Sequence, residues 1–404
     1  MLYVLSTAIF SGVILILVTV LLFVESKVAG DDEFSITING NEDDKLKIQG
    51  HPSLLSALSK EEIFLPSACG GSGSCGMCKC EVTSGGGSIL PTEIAHLSRK
   101  DKLAGRRLSC QLKIKEDLDI KVPESIFGIK KVKATVVSND NVASFIKELV
   151  LRPETPIDFE AGAYLQIDVP EYDIAFKDFH IDSKYVSEWK KYNLLELAST
   201  GIKPGFRAYS MANPPQDNDI MMMNVRIATP PPGTSGIPPG FGSSYVFSLK
   251  PGDEVTVSGP YGDFMARDTD REMCFIGGGA GMAPLRSHIL WQLEGLKSGR
   301  RISYWYGARS VKEMFYDDLF NDLEQKHDNF SFYVSMSSPE KEDNWEGLTG
   351  FIHEHLCGSY LCNHEDPTEI EYYLCGPPPM IDAVISSLYD MGVEDDMIFY
   401  DKFS

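Results

Sequence analysis

Four cysteines carry the first chemistry legible in this 404-residue chain. Cys69, Cys75 and Cys78 stand at C-x5-C-x2-C inside the run C-G-G-S-G-S-C-G-M-C-K-C, and Cys110 comes later, in R-R-L-S-C-Q-L. Three thiolates on one tight loop and a fourth from a distant strand is the donor set of a [2Fe–2S] cluster. Gly70, Gly71, Gly73 and Gly76 let the backbone wrap closely and take unusual φ values, which turns N–H groups toward the inorganic sulfides. A structural zinc site would pair two C-x2-C knuckles, and only Cys75/Cys78 makes one. Disulfides do not suit a reducing compartment, which the absence of framework spacing among the nine cysteines favours. Cys80, in the alternating K-C-E-V, reads as a strand thiol rather than a ligand.

Two further sets of residues follow. In Arg207-Ala208-Tyr209-Ser210, the arginine can pair bidentately with a pyrophosphate. The tyrosine face can lie against an isoalloxazine ring, and the serine can hydrogen-bond near flavin N5. Asn224–Ile227 (N-V-R-I, with Asn224 and Arg226) and the loop Gly242, Ser243, Ser244 at a helix start fit a second stretch of flavin contacts, the latter able to take phosphate. The third set is Gly277, Gly278, Gly279 and Gly281 between a strand and a helix, where nucleotide phosphate can approach. It ends in Cys375-Gly376-Pro377-Pro378 at the C-terminal end of a later strand, where open sheets bind ligands. It is not a G-x-G-x-x-G fingerprint.

These sets need elements to hold them. Leu2–Val24 is 23 residues without a charge. As a helix it would span roughly 35 Å, enough for a hydrocarbon core of about 30 Å. The lack of a basic n-region and of a small-x-small site argues against a cleaved signal. Residues 1–30 are therefore predicted to be a transmembrane anchor. Phe34–Gly40 and Lys45–Gly50 read as a hairpin, Ser53–Ser59 as a short helix, Lys79–Thr83 as a strand, and Gln111–Ile114 as a strand that Cys110 precedes. Residues 31–126 are predicted to form the cluster domain. Short alternating runs over residues 127–268 predict an antiparallel barrel, interrupted by a long insertion between Glu171 and Gly205. From 269 to 404 strands alternate with helices, predicting a parallel α/β sheet. Met397–Tyr400 reads as a last strand returning towards the barrel, which would set Phe403 over the flavin face. The net charge of −21 excludes a nucleic-acid partner, which needs clustered Lys and Arg. His353, His355, Cys357, Cys362 and His364 have no common zinc spacing.

The x5 spacing resembles that of adrenodoxin-type ferredoxins, and the order hairpin, helix, cluster loop, late fourth cysteine resembles their β-grasp fold. R-x-Y-S, the glycine loop and C-G-P-P, in that order, are similar to the ferredoxin–NADP reductase superfamily. The whole chain, including the insertion and the run R-I-A-T-P-P-P at 226–232, resembles the family of F subunits of sodium-translocating NADH:quinone reductases. That resemblance implies Cys69, Cys75, Cys78 and Cys110 as cluster ligands, with Arg207, Tyr209 and Ser210 on FAD. It places Cys375 beside the nicotinamide, with Ser210, Cys375 and Phe403 acting in catalysis. It implies hydride transfer from NADH to FAD and single electrons leaving through the cluster to ubiquinone. It also implies a bacterial inner-membrane complex with five other subunits, the bulk of this chain cytoplasmic. The alternatives are the reductase component of an aromatic-ring oxygenase and a non-catalytic membrane-tethered electron carrier.

Overall fold

The structure, a computed structural model, describes residues 10–19, 32–43, 45–231, 233–234 and 236–402. Residues 10–19 are helical. Among the described residues no helix is long and apolar enough to cross a membrane. The rest of the predicted span Leu2–Val24 lies outside the described residues, as does Phe403. The chain divides into two compact units, one reaching Ile129 and one running from Lys130 on, with Ala68–Gly70 grouped in the second.

The first unit is a five-stranded sheet. β1 (Glu33–Ile38) pairs antiparallel with β2 (Leu46–Gln49). β3 (Lys79–Ser84) pairs with the short β4 (Arg106–Leu108) and with β5 (Leu118–Lys121). β5 runs parallel to β1 and lies centrally, which gives the order β2-β1-β5-β3-β4. The helix Leu54–Lys60 starts where Ser53 accepts a hydrogen bond from Ser56 N–H, and it buries Leu54, Leu55, Ala57 and Leu58. Its first amides are spent on the segment that carries Cys110: Leu55 N–H donates to Ser109 O at 3.0 Å and Leu54 N–H to Leu112 O at 2.8 Å.

The strand expected after Cys110 does not form; Cys110 sits in a turn after β4. The amides of Gln111 and Leu112 both fold back on Leu108 O, at 2.9 and 3.0 Å, so they are lost to any ladder. The alternating Leu112 and Ile114 are buried as a turn under the helix, and Lys113 alone makes a bridge, to Ser53.

The second unit begins with a six-stranded antiparallel sheet. Its strands are β6 (Lys130–Ala143), β7 (Ile146–Pro153), β8 (Tyr164–Val169), β11 (Gly205–Ser210), β12 (Met221–Arg226) and β13 (Glu254–Tyr261), in the order β11-β8-β13-β6-β7-β12. A bridge between Met211 and Met223 joins the two outer strands, so the sheet closes as a barrel around Leu149, Leu165, Ile167, Val255 and Val257. The insertion folds as the hairpin β9 (Tyr172–Ala175) and β10 (Ala198–Gly201) with short helical turns. Trp189 anchors it: fully buried among Phe176, Phe179 and Phe247, with its Nε1–H donating to Ser144 O at 2.6 Å.

A parallel sheet follows. Its strands are β14 (Met273–Gly278), β15 (Ile302–Ala308), β16 (Phe330–Met336), β17 (Leu348–Thr349), β18 (Glu371–Gly376) and β19 (Ile398–Lys402). They lie in the order β17-β16-β15-β14-β18-β19. The chain leaves β14 on one side and returns on the other as β18, so the strand order reverses between these two. The last strand, β19, is the sheet's edge, in register with β18, and its Asp401 comes within 3.5 Å of Ser210 on the barrel strand β11.

His288, on the helix Met282–Leu290, is fully buried against Phe264, Phe275 and Tyr373. Its Nε2 lies 2.9 Å from Phe264 O, which can only accept, so the proton sits on Nε2. Burial pulls its pKa from 6.5 down to about 4. Unfolded chain therefore binds a proton between these values while the native state does not. Stability is full above pH 6.5 and falls by an expected ~3 kcal/mol as pH drops towards 4. Urea unfolding of this unit against pH checks it, and His288→Gln should flatten that slope.

Candidate functional site

The cluster loop hangs between the helix Leu54–Lys60 and β3. Gly73 and Gly76 have φ of 84° and 69°, where a side chain would be strained. A Cβ at Gly76 would also come to 3.0 Å from the His96 side chain, and one at Gly73 would run into Gln111. Ser109 N–H donates to Cys78 O at 2.9 Å, which ties the loop to the Cys110 turn. Cys78 and Cys110 face each other, and the Cys110 side chain, followed by burial, pushes the Cys78 thiol far up. Cys75 is half-buried at the exposed tip and Cys69 is buried at the loop's start. No disulfide joins any of the nine.

This donor set fits a two-iron cluster, in which each iron would take two thiolates. No three His, Cys, Asp or Glu are grouped to hold a single metal ion among the described residues. Cys80 is buried on β3 opposite Arg107. The buried pair Arg107–Glu93, 2.6 Å apart, fixes β4 where it leads into Cys110. Sequence reading missed Glu93, which nothing in its P-T-E-I context sets apart.

On the barrel, Arg207, Tyr209 and Ser210 lie along β11. The guanidinium of Arg207 sits over Phe241, 5.2 Å from the ring centroid, at the start of the helix Phe241–Ser248. A Cβ on Gly242 would strike the Arg207 side chain and the Tyr209 hydroxyl, so only glycine lets this helix start approach β11. Burial holds the Tyr209 phenol well above its usual range, keeping it neutral. Ser243 spends its hydroxyl on the chain, accepting from Ala228 N–H at 3.1 Å and donating to Gly240 O at 3.2 Å. That leaves the first-turn amides as donors. Ser244 is fully buried. Asn224 donates to Tyr316 O–H at 2.8 Å, while its Oδ1 is buried with no partner. Arg226 reaches instead towards Glu313, 3.9 Å away, and over Phe145. An arginine above first-turn amides, a neutral phenol and an unpaired buried acceptor fit FAD.

At the reversal point of the parallel sheet, the glycines divide by cause. A Cβ on Gly281 would strike the Cys375 backbone, and one on Gly376 would lie 2.8 Å from Gly278 O; Gly277 is closed by Leu285 and Tyr304. At these three positions the closeness of neighbouring chain already requires glycine, whether or not phosphate also approaches there. Gly279 alone, with φ 56°, would carry its Cβ into open space. Cys375 is fully buried and in register with Asp401 on β19. Burial, then the Asp401 charge, pushes its thiol up. Asp401 Oδ2 also lies 3.5 Å from Ser210 Oγ. Burial, then Asp263, raises the Asp401 pKa.

The structure thus brings Ser210 and Cys375 to one carboxylate. Asp401 was missed because an acidic tail disguises a single half-buried acid. Tyr316 was missed as well; it donates to Glu148 from a backbone at φ 61°, a position sequence cannot flag.

Residues 36–115 match the model of a 2Fe-2S iron-sulfur cluster binding domain, and 275–385 match that of an oxidoreductase NAD-binding domain. The chain is 52% identical over 402 residues to the F subunit of the Na(+)-translocating NADH-quinone reductase of Neisseria meningitidis, covering 99% of each. It is 49% identical to that of Serratia proteamaculans, again over 99% of both. Among solved structures, the ferredoxin reductase in carbazole 1,9a-dioxygenase aligns at TM-score 0.60 and 26% identity, covering 92% of this chain and 99% of that one. An Amycolatopsis cytochrome P450 reductase aligns at TM-score 0.64 over 92% and 98%, with 22% identity, sharing the fold.

Proposed function

This chain belongs to the family of F subunits of the Na(+)-translocating NADH-quinone reductase, NADH-oxidising electron-transfer proteins with a 2Fe-2S cluster, FAD and NADH, and from it we propose how its residues do that work. The observation that carries the proposal is the meeting of Ser210, Cys375 and Asp401. It joins the end of the barrel strand suited to a flavin with the end of the sheet strand suited to a nicotinamide.

When bound, FAD takes two electrons as hydride and releases them singly, and the cluster carries one at a time. Arg207 and the amides at Phe241–Ser243 hold the pyrophosphate. The neutral Tyr209 covers the ring without bringing a charge near it. Ser210 offers its hydroxyl at the position where hydride arrives. Cys375, fully buried and neutral, packs the nicotinamide and excludes water. Cys69, Cys75, Cys78 and Cys110 hold the cluster. Leu2–Val24 anchors the chain in a bacterial inner membrane beside five partner subunits, and electrons leave through them to ubiquinone. Sodium movement belongs to those partners, because Leu2–Val24 carries no Asp, Glu, Lys, Arg or His.

Deleting residues 1–26 tests this. The truncated chain is expected to stay in solution without detergent and to reduce ferricyanide with NADH, but not quinone. Quinone reduction at the full rate by the truncated chain alone would overturn the proposed route. Purification of the full chain from membranes, with identification of what accompanies it, tests the partners.

A further inference from the structure

The helix Phe241–Ser248 has two ends, and the function above uses one. Its last carbonyls need partners as much as its first amides do. Ser248 Oγ–H donates to Tyr245 O at 2.7 Å. Asn139, from β6, donates to both Val246 O and Leu249 O, at 2.8 and 2.9 Å. Lys147, from β7, places its ammonium 3.3 Å from Phe247 O and 5.4 Å from the Phe247 ring centroid.

Lys147 is only 1% exposed. Its ammonium contacts no carboxylate among the described residues; Asp140 is the acid whose charge it feels. Burying a cation without a paired anion costs several kcal/mol, so an aliphatic residue would pack this wall of the barrel more cheaply. What the charge meets is the negative end of a helix dipole, where a cation is stabilised. Burial lowers its pKa to about 8, so it is still mostly protonated at neutral pH. The opposite end of the same helix rests against Arg207.

We propose that Lys147 and Asn139 are positioning residues for the flavin pyrophosphate: they grip the C-terminal end of the helix Phe241–Ser248 and thereby fix its phosphate-facing amides against Arg207. The inference rests on the reading of this helix as the pyrophosphate site. Neither residue touches the flavin. Their effect is confined to the part of the cofactor that the helix start holds, and that separates them from residues that merely stabilise the barrel.

The test uses the full-length chain stripped of flavin and titrated with FAD or with riboflavin, which lacks the pyrophosphate. Lys147→Met, which keeps the length and removes the charge, is expected to weaken FAD roughly tenfold and leave riboflavin unchanged. Lys147→Arg should restore most of the FAD affinity. Asn139→Leu, which removes the two carbonyl partners, should shift FAD in the same direction and serves if Lys147→Met does not fold. Equal weakening of FAD and riboflavin, or weakening of neither, overturns the proposal. Arg207→Ala separates the premise: if it too leaves the FAD-to-riboflavin ratio unchanged, the pyrophosphate reading fails rather than the role of Lys147.

Discussion

Cys110→Ala is expected to leave a full-length chain whose iron and acid-labile sulfide fall from about two of each per chain to background. NADH should still bleach its flavin at the normal rate. The result follows from where Cys110 sits. It faces Cys78 from a turn held on three sides: by the Leu54 and Leu55 amides on Leu112 O and Ser109 O, by the Ser109 amide on Cys78 O, and by β4 beneath the buried Arg107–Glu93 pair. No other cysteine can be drawn into its place without undoing that turn. Cys80 is the nearest substitute, but it is buried on β3 with its backbone in the ladder opposite Arg107. Cys80→Ala should therefore keep the cluster. Iron at wild-type level in Cys110→Ala would refute the ligand set. Loss of NADH-dependent flavin bleaching in the same variant would show that the two units depend on one another for folding.

The cluster loop was the most legible part of the molecule, because its chemistry is local. Three cysteines and four glycines within a dozen residues constrain one another, and their spacing is printed in the chain. Cys110, the proposed fourth ligand, was legible as a residue but not in its setting. Leu112 and Ile114 alternate as a strand does, and only the hydrogen bonds back to Leu108 O show that burial under a helix produced the pattern. The nucleotide loop taught a similar lesson. Glycines at a strand–helix junction suggest phosphate, yet Gly277, Gly281 and Gly376 are required by the closeness of their own neighbours. Sequence cannot distinguish a glycine that admits a ligand from one that admits another backbone. Least legible were groups whose meaning is a contact across the fold. Asp401 lies at the end of an acidic stretch, and Lys147 looks like any lysine on an alternating strand. What sets both apart is where the fold puts a single charge, and that leaves no trace in periodicity.

Ser210→Ala is expected to slow hydride transfer from NADH roughly 100-fold, the usual cost of removing one well-placed donor from a reacting centre. FAD content should be unchanged, because Arg207 and the helix start at Gly242 hold the pyrophosphate. The size of the effect depends on how firmly the hydroxyl is aimed, and the structure supplies one restraint: Asp401 Oδ2, 3.5 Å away. That carboxyl has a second consequence. As hydride leaves a nicotinamide the ring gains a positive charge, and a half-buried carboxylate in register with Cys375 is placed to stabilise it. Burial raises the Asp401 pKa, so the group takes up a proton at a higher pH than an ordinary aspartate. The wild-type rate should therefore decline as pH falls through that raised value, and it should be at its plateau above it. Asp401→Asn mimics the protonated acid and should hold the low rate across the whole range, while Ser210→Ala should keep the wild-type pH dependence at a reduced height. Stopped-flow bleaching of the flavin by NADH, followed from mildly acidic to neutral pH, separates the two roles. A wild-type rate in Ser210→Ala would remove the serine from the reacting centre, and a pH-dependent Asp401→Asn would assign the titration to another group.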